Sequence, residues 1–320
     1  VLPASKSRPR REIVLKEKDR ADLTSLRRAV RNRNTSDDPP AMPPTPVVPK
    51  GSLVIVGGGG MPEPITKKFI ELAGGPKALI VVLPTAVPDV LARRARVPSY
   101  LTRAGALNVK VMPHSRLDEV ESQEFIDVLS KAGGVWFGGG RQWRFVDAYV
   151  DTKAYDALHG VLRRGGVIGG SSAGASIQGS FLARGDPLGN REIMAEGYEK
   201  GFGFLPGVAI DQHFAQRKRF ADMTRLVNRY PQVLGIGIDE ATALVVKGST
   251  AEVWGRSAVH FYDRRKPVVK GQPDYETARP GQSFDFKTGK ITGEPTPPPV
   301  KPKKTPPKKA KTPAKKQTAQ

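Results

Sequence analysis

Apolar residues in this chain fall in short dense runs separated by longer amphipathic stretches. Residues 53–56, 79–83, 109–112, 135–137, 167–169 and 208–210 are nearly unbroken apolar segments, several closed by glycine. A strand covered on both faces needs an apolar side chain at almost every position, so these runs predict buried strands. Between them, apolar positions recur three and four apart at 64–73, 90–103, 121–131, 145–164 and 216–229. That spacing predicts helices with one face turned inward. Strand alternating with helix gives an α/β fold, a doubly wound and mostly parallel sheet. After residue 234 the pattern is strand-only, at 244–247, 251–254 and 258–262, which predicts an antiparallel extension at one edge. There is no internal repeat.

The two ends read differently. Residues 1–38 are charged with a weak apolar repeat, and 39–49 form a proline-rich linker. The tail from residue 297 is built from Lys, Pro, Thr and Ala, a composition that cannot bury a core and predicts disorder. The expected division is therefore 1–50 as an N-terminal segment and linker, 51–288 as one catalytic domain, and 289–320 as a basic tail. Residues 1–50 hold twelve Lys/Arg against six Asp/Glu, and 289–320 hold nine Lys against one Glu. Two thirds of the formal net charge of +21 thus belongs to the ends, and the core is only mildly basic. The chain has no cysteine, which removes disulfides, thiolate metal sites and a cysteine nucleophile. No apolar run is long enough to span a bilayer, and residues 1–11 lack the apolar stretch of a signal peptide. The expected compartment is the cytoplasm, with a removed leader left open by the valine start.

The densest chemistry lies at Gly170-Ser171-Ser172-Ala173-Gly174, directly after the apolar run 167–169. Strand, sharp turn and helix with a serine at the apex is the nucleophile-elbow pattern. Glycines flank the serine because a side chain there would strike the strand or the helix start. The hydroxyl is pushed into a cleft beside backbone N–H groups that can hold an oxyanion. The glycines ending the fourth run, Gly139 and Gly140, join Ala173 as the expected oxyanion hole. Gly57 to Gly60 follows the first run but lacks a Gly-Lys-Ser/Thr ending or a dinucleotide spacing, so close backbone approach to the cleft is the better reading than a phosphate cradle.

Such a serine needs a base, and the base an orienting acid. Of four histidines, His213 ends the run 208–212 at the carboxyl edge of a strand, where ligands bind in open α/β sheets. His114 is a weaker rival at another strand end, His159 lies in a helical stretch and reads as solvated, and His260 falls in a peripheral strand. Between Ser172 and His213 the polar loop 184–191 offers Asp186 as the acid, with Glu192 and Glu196 behind it. Serine, acid, histidine is the chain order of other elbow hydrolases.

Several blocks in order resemble the S51 serine peptidases, the family of cyanophycinase and peptidase E. They are Val135-Trp136-Phe137-Gly138-Gly139-Gly140-Arg141-Gln142, the elbow, Gly203-Phe204-Leu205-Pro206-Gly207, Asp211-Gln212-His213-Phe214 with Arg217 and Arg219, and Gly235-Ile236-Gly237-Ile238-Asp239-Glu240. The resemblance covers roughly residues 50–265 and is nearer to cyanophycinase. It implies a flavodoxin-like, class I glutamine amidotransferase-like sheet and hydrolysis of a peptide or isopeptide bond near an aspartyl residue. The family's nucleophile falls on Ser172, its histidine on His213 and its acidic member, with a small gap, on Asp186. Two departures stand out: Arg141 where cyanophycinases usually carry Asp, and Gly57 to Met61 with no acid until Glu63, where they tend to have acidic residues after the first glycine pair. Asp222, in turn, stands where they tend to carry a further arginine. Cyanophycin bears arginine on poly-aspartate, so losing an acid and gaining Arg141 argues against that polymer as substrate.

Arg217 and Arg219 stand in the first turns of a helix, where the dipole disfavours cations, so an anionic partner such as a substrate carboxylate is expected. Arg141, Gln142, Asp211, Gln212 and Glu240 complete the expected substrate-binding set. Glu240 either binds a substrate amine or, like Asp239, caps the next turn. No cofactor is called for, and no His/Asp/Glu spacing suits a metal. The expected partners are a carboxylate-bearing peptide substrate, a second copy in a homodimer, and polyanions met non-specifically by the tail, with no membrane. The competing reading is a catalytically silent hydrolase fold that binds a polyanion or nucleic acid through that tail.

Overall fold

The computed structural model describes residues 46–296. The charged N-terminal segment, most of the proline-rich linker and the lysine-rich tail lie outside the described residues. In chain order the elements are β1 (Val48–Val56), α1 (Glu63–Leu72), β2 (Ile80–Leu83), α2 (Asp89–Ala92), α3 (Ser99–Arg103), β3 (Val109–Val111), α4 (Leu117–Val120), α5 (Gln123–Lys131), β4 (Gly134–Phe137), α6 (Trp143–Tyr149), α7 (Lys153–Arg163), β5 (Val167–Ser171) and α8 (Ala173–Ser176). There follow β6 (Gly179–Phe181), β7 (Leu205–Gln212), α9 (Phe220–Arg229), β8 (Leu234–Ile238), β9 (Thr242–Gly248), β10 (Thr250–Gly255), β11 (Val259–Tyr262), β12 (Glu276–Ala278), β13 (Ser283–Asp285) and β14 (Lys290–Thr292).

These strands form two sheets. The larger runs β14-β13-β10-β9-β1-β5-β4-β2-β3, and the smaller β12-β11-β8-β7-β6. In the larger sheet β1, β5, β4, β2 and β3 are all parallel, while β9, β10, β13 and β14 continue it antiparallel beyond β1. Alternate residues of β1 explain the two-sided burial. Leu53 and Ile55 face a core shared with Phe125, Tyr149 and Leu158 of α5, α6 and α7. Val54 and Val56 face one shared with Ile65, Phe69 and Leu101 of α1 and α3. Each large side chain buried this way contributes on the order of 1.5–3 kcal/mol.

The split into two sheets corrects the expectation of one. The run 208–210 lies in β7, which pairs with β6 and β8 and not with the strands around the elbow. A parallel crossover needs a dozen or more residues, and α8 has four. Having left β5, the chain cannot return to the first sheet over one turn of helix, and it starts another. Three expected helices are also broken. In the one at 216–229, Lys218, at φ 53, leaves Arg217 in a single preceding 3-10 turn and Arg219 at the cap of α9, in place of the first turns of one helix. Pro98 stands at the start of α3 and separates it from α2, because its ring excludes a continuous helix. Asp151, at φ 59, and Thr152, whose hydroxyl accepts the Tyr155 N–H at 3.2 Å, end α6 and open α7. The domain runs past both expected boundaries. Val48 is buried and pairs with Gly248 across a register shift that accommodates Pro49, and β14 adds to β13. Among the described residues no helix is long and apolar enough to cross a membrane.

Candidate active site

Three loops leave the carboxyl ends of β1, β7 and β8 and meet over the start of α8. Ser172 joins β5 to α8 with φ 57 and ψ −113. Its N–H donates to Val56 O at 3.1 Å, and its own carbonyl accepts from Ala175 and Ser176. The flanking glycines are required by space: a Cβ on Gly170 would lie 2.3 Å from Gly174 O, and one on Gly174 2.2 Å from Phe137 O.

The Ser172 Oγ lies 3.0 Å from His213 Nε2. On the far side of the ring, Nδ1 is 2.6 Å from Glu240 Oε1. A carboxylate only accepts, so Nδ1 carries the hydrogen and donates it to Glu240. Nε2 is then left as the acceptor for the serine hydroxyl. Burial holds the imidazole below its ordinary pKa of 6.5. Arg217 and Arg219 push the same way, while the hydrogen bond to Glu240 opposes them. His213 is therefore neutral at pH 7, the form a general base needs.

The carboxylate on His213 is that of Glu240, so Asp186 is corrected as the orienting acid. Asp186 Oδ1 instead accepts the Leu188 N–H at 2.8 Å and closes its own loop. Nor does Glu240 cap a turn, as one sequence reading had it. The available signal was the strand-ending Ile238-Asp239-Glu240 on the same edge as His213. What hid it was the assumption that the acid precedes the histidine. The other histidines are engaged elsewhere. His159, expected in solvent, is half-buried against Phe204, with Nε2 3.0 Å from Phe202 O. His260 Nδ1 is 3.0 Å from Thr277 Oγ1, and the His114 ring packs on Phe125.

The loop Gly57 to Gly60 supports the histidine. Gly58, at φ 95, lies so close to the ring that a Cβ would sit 2.3 Å from His213 Cε1. Hydrogen bonds stitch the three loops together: His213 N–H to Gly57 O, Ala241 N–H to Gly58 O, Ala215 N–H to Asp239 Oδ1, and Glu240 N–H to Gln216 Oε1. Across the serine, a Cβ on Gly139 would stand 3.5 Å from Ser172 Cβ. Among the described residues the N–H groups of Gly139, Gly140 and Ala173 meet no backbone acceptor.

Arginine dominates the ground beyond His213. An open cavity of about 420 Å³ is lined by Arg184, Asn190, Arg191, Arg217, Arg219 and Asp222. Arg219 and Arg184 are buried and share Asp211, at 2.6 and 2.9 Å, and Arg184 also reaches Asp222 at 2.7 Å. Burial pushes Arg219 down to about 10 despite Asp211, so it stays charged at neutral pH. Arg217 offers its guanidinium to the cavity with no side-chain acceptor among the described residues. Three expected substrate groups are otherwise occupied. Arg141 donates to the carbonyls of Asp186 and Gly189, Gln142 Nε2 donates to Ala183 O at 2.8 Å, and Asp211 is consumed by its two arginines. Gln212 is buried, and its Oε1 meets no partner among the described residues.

With this geometry in place, comparison with known proteins gives the class. The model of Peptidase family S51 matches residues 53–254, and the chain belongs to that family; it is a serine-type peptidase. A cyanophycinase of Geminocystis herdmanii is 30% identical over 222 residues, covering 67% of this chain and 81% of that protein. One of Synechococcus elongatus is 31% identical over 226 residues, covering 68% and 69%. The crystal structure of a peptidase from an acI-B1 Actinobacterium shares the fold with a TM-score of 0.57 at 24% identity, over 74% of this chain and 97% of that one.

Proposed function

We propose that Ser172, His213 and Glu240 act as a catalytic triad on a peptide or isopeptide bond beside an aspartyl residue. The observation that carries this is the continuous chain of 3.0 and 2.6 Å contacts from hydroxyl to carboxylate. Neutral His213 takes the Ser172 proton as Oγ attacks the substrate carbonyl. Glu240 holds the imidazolium that results. The oxyanion is received by the N–H groups of Gly139, Gly140 and Ala173, groups with no competing backbone acceptor. His213 then returns the proton to the leaving amine, and a water repeats the cycle to release the acid product.

Arg217 takes a substrate carboxylate on this reading. It follows His213 by one turn, its N–H on His213 O at 2.9 Å, so a group bound there is held close to the reacting bond. Four guanidiniums lining one cavity suit an acidic substrate and disfavour the arginyl side chains of cyanophycin, although the relatives named above are cyanophycinases. The test is to treat the full chain with a serine-directed fluorophosphonate and map the adduct. α- and β-aspartyl peptides are then screened, with and without arginine. The adduct is expected on Ser172 and cleavage among the arginine-free acidic peptides. An unlabelled Ser172 would overturn the triad, and cleavage confined to arginyl substrates would overturn the substrate reading.

A further inference from the structure

The loop 184–191 has no strand or helix of its own, yet four of its carbonyls are bound, and all by guanidinium groups. Arg141 takes those of Asp186 and Gly189. Arg184 takes those of Asn190 at 3.0 Å and Arg191 at 2.9 Å. Two arginines thus do for this loop what a ladder does for a strand. Arg141 is anchored beside the elbow, its N–H on Ala86 O at 2.7 Å, and Arg184 on Asp211 and Asp222. Besides Arg184 itself, the fastened loop presents Asn190 and Arg191 to the cavity.

We infer that Arg191, on the loop that Arg141 and Arg184 fasten, is a third anion-binding guanidinium of this pocket, and that with Arg217 and Arg219 it selects an acidic residue with two carboxylates over one with a single carboxylate. The inference rests on the reading of the cavity as the substrate site. Arg184 lends no charge to a ligand, because both its carboxylate partners engage it directly. Asp222 stands nine residues after His213, and its carboxylate is spent on Arg184 and Arg225, at 2.7 and 3.3 Å. The four arginines that line the cavity, Arg184, Arg191, Arg217 and Arg219, meet only the carboxylates of Asp211 and Asp222 among the described residues, an excess of two positive charges even before Arg225, which also draws on Asp222, is counted. Arg191 and Arg217 have no side-chain acceptor among the described residues, and Arg219 uses only one of its terminal nitrogens. Two carboxylates on one ligand match that surplus, each taking charge-assisted and bidentate bonds.

The test is calorimetric and needs no turnover. The full chain carrying Ser172→Ala is titrated with glycyl-aspartate and with glycyl-asparagine, which differ by one carboxylate. Glycyl-aspartate is expected to bind on the order of tenfold more tightly. Adding Arg191→Gln should erase that ratio, and Arg141→Met should diminish it. Arg229→Gln, on the exposed side of α9, removes an equal charge and should preserve it. Buried Arg184 is left alone, since its loss would leave Asp211 with Arg219 as its one arginine partner and would release the Asn190 and Arg191 carbonyls together. Equal affinities, no binding of either dipeptide, or a ratio that survives Arg191→Gln would overturn the inference. Fluorophosphonate labelling of Ser172 in the unmutated chain is independent of the ratio. A failed ratio with Ser172 labelled removes only the selectivity, and a failed label removes the triad itself.

Discussion

Ser172 and His213 both have backbones at positive φ, 57 and 49, a conformation that costs a side-chain-bearing residue on the order of 1–3 kcal/mol. Ser172 is held within a single strand–turn–helix unit, by its glycine neighbours and the first bonds of α8. His213 is held by residues scattered over the chain: Gly57 and Gly58 after β1, Asp239 and Glu240 after β8, and Gln216 behind it. The serine corner is local and the histidine corner is assembled. A local corner leaves its signature in consecutive residues. An assembled corner exists only when two sheets have docked, and it can be disabled from a distance.

The largest effect expected is at the local corner. Ser172→Ala should lower kcat by on the order of 10⁶, as for a triad acting as one unit. The melting temperature should hold, because the methyl keeps the turn. Stopped-time assays on an aspartyl peptide check the rate, and unchanged hydrolysis would break the account at its root.

Next comes the acid of the assembled corner. Glu240→Gln should cost on the order of 10⁴ in kcat, since an amide can present the wrong partner to Nδ1 and favour the wrong tautomer. Asp186→Ala should leave kcat close to wild type, because the Asp186 carboxylate accepts the Leu188 N–H within its own loop while Glu240 holds the imidazole. The reverse ranking in steady-state kinetics would restore Asp186 and sink Glu240.

That pair of variants separates what was legible in the sequence from what was not. The elbow and the strand runs could be read directly, because each depends on side-chain spacing within a few residues. His213 was legible as a strand-ending histidine, while its meeting with Ser172 depends on the docking of two sheets. The parallel core and the part of its antiparallel extension at 244–247 and 251–254 followed from the same periodicity, whereas the run 258–262, expected in that extension, lies in β11 of the smaller sheet, paired with β8. The acid could not be reached this way. Asp186 and Glu240 both fall in polar segments at strand ends, and only the pairing of β7 with β8 sets Gln212 beside Ile238 and so brings the next turns together. Arg141 misled for a similar reason: its charge was visible, but the two carbonyls that absorb it belong to a loop 45 residues on. Gly58 was correctly placed in the cleft, though nothing nearby in sequence names the ring it touches.

Gly58→Ala tests whether the histidine corner depends on that distant loop. The new methyl would collide with His213 Cε1 at a residue whose φ of 95 already disfavours a side chain. Displacing the ring by about 1 Å should cost on the order of 10² in kcat with KM little changed. Gly139→Ala meets its nearest atom at 3.5 Å and should be far milder. Equal losses in the two variants would mean that the glycine loop supports the fold and not the imidazole.

The smallest effect sharpens the electrostatic side of the comparison. His213 works as a base only when neutral, so kcat/KM should fall tenfold per pH unit on the acid side of its pKa, with the midpoint below 6.5. Burial is the main cause of the depression, and Arg217 and Arg219 add to it through space. Stability carries the same sign. The folded ring is the weaker base, so its contribution is complete above the unfolded value and is lost as pH falls through the folded one. Arg217→Gln removes one of the cations, so the kinetic midpoint should move upward toward 6.5. Raised salt should shrink the gap between variant and wild type, because Arg217 is exposed and its field is screened. Burial, by contrast, does not respond to ionic strength. A midpoint that moved downward in the variant, or a gap indifferent to salt, would show that Arg217 reaches His213 through structure and not through charge.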